Sequence, residues 1–288
     1  MQEGWVTSGE VPLFVRWAGS GDTIICLHGF PESGASWARQ LTHLRATHRV
    51  LAPDGRGHGR SGCPSGGEAY RIDSLVADVL AVADQLEAEH FTLVGHDWGG
   101  VVAWCAAAWH PQRVSHLVAI NAPHPTLLQA ALDGDPEQQA ASAYIAAFTA
   151  PDAEARLTPG NLWQAVFAAD EEQGLIDAAE KAELLAAWSR PGAIAAMLNW
   201  YRSAPFDFWA VGGTGAGRLE EALQVTVPTC VLWGMEDRVL LPNLLAGLED
   251  LVPDLTLHKV EGAGHGLVRE RPELVSRAIA DHLSTRTR

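Results

Sequence analysis

The sequence predicts an α/β fold, a mostly parallel sheet flanked by helices and interrupted by an inserted helical segment. Short apolar runs alternate with helical patterns at both ends of the chain, as in a parallel sheet covered on both faces. One strand-to-helix junction, Val94-Gly95-His96-Asp97-Trp98-Gly99-Gly100, is so tight that glycine is needed on either side of its central residue, which lifts Asp97 to the tip of the turn. Between about Pro125 and Gly217 the chain is rich in alanine, leucine and tryptophan at helical spacing, without strand-like alternation. These observations divide the chain into a core, 1–124 and 218–288, and a helical lid, 125–217.

The elements follow in order. Val11 to Trp17 and Thr23 to Leu27 read as strands separated by the turn-rich Ala18-Gly19-Ser20-Gly21-Asp22. The second strand ends in His28-Gly29-Phe30-Pro31, a loop delivered to a sheet edge, where His28 reads as a satisfied structural histidine. Ser36 to Leu44 is helical, and Arg49 to Pro53 is a short strand. The glycine-rich run Asp54 to Gly62 lacks the order and the lysine of a phosphate cradle, so it reads as a structural loop with internal hydrogen bonds. Apolar residues Leu75, Val76, Val79, Leu80, Val82 and Leu86 mark an amphipathic helix over Ile72 to Leu86. Phe91 to Val94 leads into the tight junction, a small-residue helix leads out, and Val114 to Ile120 is a buried strand. The insertion is broken by Pro151, Pro159, Gly174, Pro191 and Pro205 and holds Tyr144 and Tyr201, two of only three tyrosines in the chain. Strand-loop-helix order resumes at Val227 to Trp233, followed by Asp237. The last strand, Leu255 to Val260, delivers Glu261-Gly262-Ala263-Gly264-His265-Gly266. Leu267 to Leu283 reads as one closing helix, and Ser284 to Arg288 as a polar tail.

Composition narrows the function classes. A chain of 288 residues buries a sizeable core. Twenty basic against 35 acidic residues leave a formal charge of −15 without a basic cluster, which argues against nucleic acid and against an anionic membrane surface. The four cysteines lie far apart without metal-ligand spacing, so they read as free thiols in a reducing compartment. No apolar run approaches the ~20 residues of a membrane span, and the N-terminus has no signal-like pattern. The expected setting is cytoplasmic; homo-oligomerisation stays open.

The chain order Asp97, Asp237, His265 matches the nucleophile, acid, histidine order of an α/β-hydrolase triad. His28-Gly29-Phe30-Pro31-Glu32-Ser33 resembles the H-G-x-P loop, and Gly95-His96-Asp97-Trp98-Gly99-Gly100 the elbow, of the epoxide hydrolase branch of that superfamily, close to the haloalkane dehalogenases. Asn199-Trp200-Tyr201-Arg202 resembles the lid segment that carries one catalytic tyrosine, and Tyr144-Ile145-Ala146-Ala147-Phe148, less closely, the segment that carries the other. The resemblance spans essentially the whole chain. It implies an α/β-hydrolase fold with an inserted lid and an enzyme that opens an epoxide to a 1,2-diol with water, without metal or organic cofactor. Asp97, Asp237, His265, Tyr144 and Tyr201 would be catalytic, and the N–H groups of Phe30 and Trp98 would form the oxyanion hole.

The residue types argue the same chemistry independently. An aspartate gains little by attacking an ester, but it can open a strained epoxide or displace a halide at carbon. Epoxide opening leaves a basic alkoxide that needs a proton, and two phenols with an ordinary pKa of about 10 suit that task. The alternative within this chemistry is a haloalkane dehalogenase using the same triad. Its halide would want N–H donors, and Phe30 stands where those enzymes often carry asparagine. A fluoroacetate-type enzyme would need arginine close after Asp97, where the sequence has Trp98-Gly99-Gly100-Val101. From a different class comes a non-catalytic scaffold that binds a small apolar ligand. The lid lining is expected from Phe148, Trp163, Phe167, Met197 and Phe206.

Overall fold

The structure is a computed structural model and describes residues 1–217, 219 and 221–284. Its frame is an eight-stranded sheet in the order β1-β2-β4-β3-β5-β6-β7-β8. The strands are β1 (Gln2–Ser8), β2 (Val11–Ala18), β3 (Thr23–Leu27), β4 (Arg49–Pro53), β5 (Phe91–His96), β6 (Val114–Ile120), β7 (Thr229–Gly234) and β8 (Leu255–Val260). β1 and β2 pair antiparallel and β2 meets β4 antiparallel; every other pairing is parallel. The central strands β3, β5 and β7 are buried along their whole length, which is why they read as unbroken apolar runs.

Because side chains alternate along a strand, neighbours in sequence feed opposite layers. Ile25, Leu93 and Leu117 pack with helices α2 (Ile72–Gln85) and α3 (Trp98–Trp109). Ile24, Val94 and Val118 pack on the other face with α1 (Ala38–Leu44) and a C-terminal helix over Pro272–Ser284.

The structure departs from the sequence reading at three places. The first strand, β1, has no counterpart in that reading. It is an edge strand with only Val6 and Ser8 fully buried, too few inward positions to create alternation in the sequence. The segment from Ser36 starts as a 3₁₀ turn, Gly34–Trp37, before becoming helical. The single closing helix is two, broken at Pro272, whose ring and missing N–H end the first of them at Glu270. Of the polar tail, Thr285 to Arg288 lie outside the described residues, as does Arg218 at the expected core boundary.

Between β6 and β7 the described residues form eight α-helices, α4 (Pro125–Gly134), α5 (Pro136–Ala141), α6 (Tyr144–Thr149), α7 (Ala153–Arg156), α8 (Pro159–Val166), α9 (Ala168–Glu172), α10 (Ala178–Trp188) and α11 (Ala193–Arg202), and a 3₁₀ turn at Trp209–Val211. After β7 come α12 (Leu248–Leu251), α13 (Leu267–Glu270) and α14 (Pro272–Ser284). Several of the short helices carry their own caps. Thr158 and Asn161 form a reciprocal capping box, and Asp177 accepts from Ala179 and Glu180.

α8, α10 and α11 enclose a small core of their own, with Trp163, Phe167, Trp188 and Met197. Two buried arginines fasten it to the sheet layer. Arg269 pairs with Glu32 and reaches Glu180 of α10 at 3.2 Å. Arg16 holds Asp54 at 2.9 Å and pairs with Glu183 of the same helix. The Trp188 indole also donates to the Pro31 carbonyl at 2.8 Å. Among the described residues no helix is long and apolar enough to cross a membrane.

Candidate active site

Loops from the ends of four strands and two inserted helices converge on Asp97. The elbow is built as its glycines require. A Cβ on Gly95 would strike the backbone of Gly99 and Gly100, and one on Gly99 would strike the carbonyls of Leu27 and His28. Asp97 itself sits at φ 51, a conformation disfavoured for any residue with a side chain, and it is held there by the strand before it and the helix after it.

One oxygen of the Asp97 carboxylate, Oδ1, accepts the Phe30 N–H at 2.8 Å. The other, Oδ2, lies 3.6 Å from His265 Nε2. Trp98 opens α3, so its N–H is among the first-turn donors that no helical carbonyl can satisfy. His265 donates from Nδ1 to Asp237 Oδ2 at 2.8 Å. The second oxygen of Asp237 accepts the N–H groups of Val239 and Leu240 at 2.8 and 2.9 Å. Nucleophile candidate, histidine and acid therefore stand in one polar line, although 140 residues of sequence separate Asp97 from Asp237 by their numbers.

Electrostatics polarise that line. Burial opposes charge on both partners, but the pair overrides it: His265 is held well above the ordinary imidazole value by Asp237 and Asp97. Asp237 is held below the ordinary carboxylate value by His265 and its backbone donors. The two acidic neighbours thus favour the charged form of the histidine.

Tyr144 and Tyr201 project from α6 and α11 over the same point. Tyr201 packs edge-on against Trp98 and Phe30, each at 5.1 Å between ring centroids, and 6.2 Å from Tyr144. The two phenols sit side by side, with the Trp98 ring against Tyr201. Burial above all, together with the charge of Asp97, raises both phenols above their ordinary value, so both favour the neutral O–H form.

A narrow cavity runs from Asp97 and both tyrosines to an apolar end walled by Leu128, Leu132, Phe206, Phe208 and Leu240. Of the five residues expected to line it, only Phe206 does so. Trp163, Phe167 and Met197 lie instead in the insertion's own core. Phe148 packs on Phe30 and Tyr201, 5.2 Å from each. Aromatic content marks a helical insertion but does not tell which face of each short helix looks inward.

His28 is structural, in agreement with the sequence reading: it bonds the Gly29 carbonyl and accepts the Gly55 N–H at 2.9 Å. The glycine-rich loop is structural too, since Asp54 accepts from Gly34 and Arg60 and its carbonyl from Ser61.

Comparison with known proteins bears on this geometry. The alpha/beta hydrolase fold family matches residues 22–272. An AB hydrolase superfamily protein, YfhM of Bacillus subtilis, is 35% identical over 97% of this chain and 96% of its own. Epoxide hydrolase A of Mycobacterium tuberculosis is 31% identical over 98% of this chain and 97% of its own. The crystal structure of a mutant epoxide hydrolase from Bacillus megaterium, complexed with its product, superposes with a TM-score of 0.88 at 30% identity, covering 98% of this chain and 100% of that one. The chain belongs to the epoxide hydrolase branch of the α/β-hydrolase superfamily. It is an enzyme of the hydrolase class.

In this epoxide hydrolase family member the sequence reading passes over several polar residues around the site. Asn121, at the end of β6, donates to Asp237 Oδ2 at 2.7 Å. Glu32 accepts the Gly29 N–H at 3.2 Å and is kept well below the ordinary carboxylate value: burial opposes this, and Arg269 and His96 outweigh it. His96 donates to the His265 carbonyl at 2.9 Å. Glu32 lies in the loop motif and His96 in the elbow, but Arg269 and His265 are more than a hundred residues away in sequence, so spacing carries no signal. Asn121 has one signal, a polar residue terminating an apolar strand at the edge where sites form.

Proposed function

We propose that this protein hydrolyses epoxides to 1,2-diols through a covalent ester on Asp97. The observation that carries the proposal is that two phenols share a cavity with a carboxylate that has one oxygen bound to a backbone N–H and the other 3.6 Å from His265 Nε2. In the first half-reaction that second oxygen of Asp97 attacks an epoxide carbon. The C–O bond of the ring breaks, and its electron pair becomes an alkoxide, which takes a proton from Tyr144 or Tyr201. A general acid at that point typically contributes 10²–10⁴-fold.

In the second half-reaction water attacks the ester carbonyl of Asp97. His265 takes the water's proton, and Asp237 orients the ring and stabilises its charge. The charge that develops on the oxygen already bound by Phe30 is held by the N–H groups of Phe30 and Trp98, about 3 kcal/mol for each donor. Collapse breaks the ester C–O bond: the departing alkoxide takes the hydrogen left on the water-derived hydroxyl, the diol leaves, the carboxylate is restored, and His265 keeps the proton it took from water. Segment 125–217 serves as the lid over the core of 1–124 and 218–288, supplying the acids and most of the pocket wall.

The change of charge between the two halves has a use. In the resting site two carboxylates facing His265 favour its charged form. Esterification neutralises Asp97 and removes one of them, so the imidazolium yields its proton to the phenolate left by ring opening and becomes a base at the step that needs one.

Halide displacement is supported less well. Two phenols stand over Asp97 where a halide would want N–H donors, and Phe30 offers a ring to Phe148 in place of a second donor. Purified protein offered styrene oxide and 1-bromobutane separately tests the choice. Diol formation that disappears in Asp97→Asn is the expected result, and bromide release without diol overturns it.

A further inference from the structure

We propose that Asn121 is a positioning residue of the second half-reaction: it donates to the same oxygen of Asp237 that accepts from His265, and so limits how tightly His265 holds its proton. This rests on the roles of Asp237 and His265 proposed above.

The geometry is specific. Asn121 is fully buried at the end of β6 and adopts φ 42, in the left-handed region that asparagine tolerates better than most residues. Its Oδ1 accepts the Gly234 N–H at 3.2 Å, which orients the amide and turns Nδ2 toward Asp237. Nδ2 then donates to Asp237 Oδ2 at 2.7 Å, beside the His265 bond of 2.8 Å to the same atom. The other carboxylate oxygen is occupied by Val239 and Leu240. The carboxylate therefore stays in place without Asn121. What the amide changes is the potential at His265, because a donor dipole on Oδ2 makes the carboxylate a weaker partner for the imidazolium.

The other groups that face His265 do not offer the same control. Asp97 loses its charge on esterification. His96 packs against the ring at 5.1 Å and bonds the backbone carbonyl of His265. Asp170 of α9 feels the His265 charge from the lid side. Asp237 is the one permanent anion bonded to the ring, and among the described residues Asn121 is the one side chain besides His265 that donates to it.

Asn121→Gly removes the amide and keeps a backbone that glycine adopts freely. Two measurements decide the proposal. The first is an NMR titration of His265 in the Asp97→Asn background, which mimics the neutral charge of the ester. Adding Asn121→Gly should move the midpoint up by about one pH unit; an unchanged midpoint in a folded protein overturns the proposal. The second is rapid-quench mass spectrometry of the wild type and Asn121→Gly with an epoxide. Ester decay near pH 7 should slow about tenfold and recover at alkaline pH, with ester formation unaltered. Slowing by the same factor at every pH would mean loosened packing only, and would overturn it. If the wild type forms neither ester nor diol, the proposed function fails, while the titration still decides the role of Asn121.

Discussion

The sheet core and the inserted helices solve different problems around one carboxylate. The core holds Asp97, Asp237 and His265 on loops that leave three strands of the sheet, with Asp237 bound by three donors besides His265. The insertion holds its two phenols on short helices, six and ten residues long, that pack against aromatic rings more than against hydrogen-bonding partners. Under the proposed mechanism, the groups whose charge must be controlled are fixed by directed polar contacts, and those that would deliver a proton are fixed by shape. The difference predicts that damage to the core stops the reaction at a definite stage, whereas damage to the insertion lowers its rate.

The sharpest test of that contrast is His265→Gln. It should let substrate add to Asp97 and then stall, with turnover down by about 10⁴-fold or more. Intact-protein mass under saturating epoxide should show the adduct, and its absence would remove the distinction between the two stages. Next in size is the insertion itself. Tyr144→Phe and Tyr201→Phe should each slow ring opening by about 10- to 100-fold, and the double variant by about 10³-fold or more, within the span of general-acid catalysis. Single-turnover rates of ester formation check this, and an unimpaired double variant would move the acid role elsewhere.

A pH series separates the halves without mutation. The raised phenols stay protonated into the alkaline range, so ester formation should persist there. Ester decay needs neutral His265, which in the ester is held up by Asp237 but no longer by Asp97, so decay should fail as pH falls through the value of that state and ester should accumulate on the acid side. Accumulation on the alkaline side would reverse the assignment. The smallest effects concern stability. Leu93→Ala in the sheet should cost about 2–5 kcal/mol in denaturant unfolding. Glu180→Gln, at the partly exposed end of the Arg269 pair, should cost about 1 kcal/mol or less. Equal costs would mean that the insertion is as integral to folding as the sheet.

The same contrast governs what can be read from the sequence. Parallel strands buried on both faces announce themselves as apolar runs, so β4 and β6 have the very limits that their residues suggest. The elbow glycines are demanded by local sterics, and with them the position of Asp97 is legible. β1 escapes notice because an edge strand with two inward side chains has almost no pattern to show. The cavity wall is misread at Trp163, Phe167 and Met197 because short helices give too few turns to establish which face is buried. Asn121 and Glu32 owe their surroundings to the crossing of distant loops. Such meetings are products of topology, and no local pattern encodes them.

The apolar end of the cavity has a consequence for how this protein can change. Its walls come from Leu128 and Leu132 of α4, Phe206 and Phe208 after α11, and Leu240 after β7, and no side chain among them bonds the triad or belongs to the sheet. Under the proposed function, substrate preference would be set by side chains that make no bond to the triad. Changes in that wall are the ones expected to redirect the enzyme without disturbing its reacting groups, each at the cost of repacking a buried position.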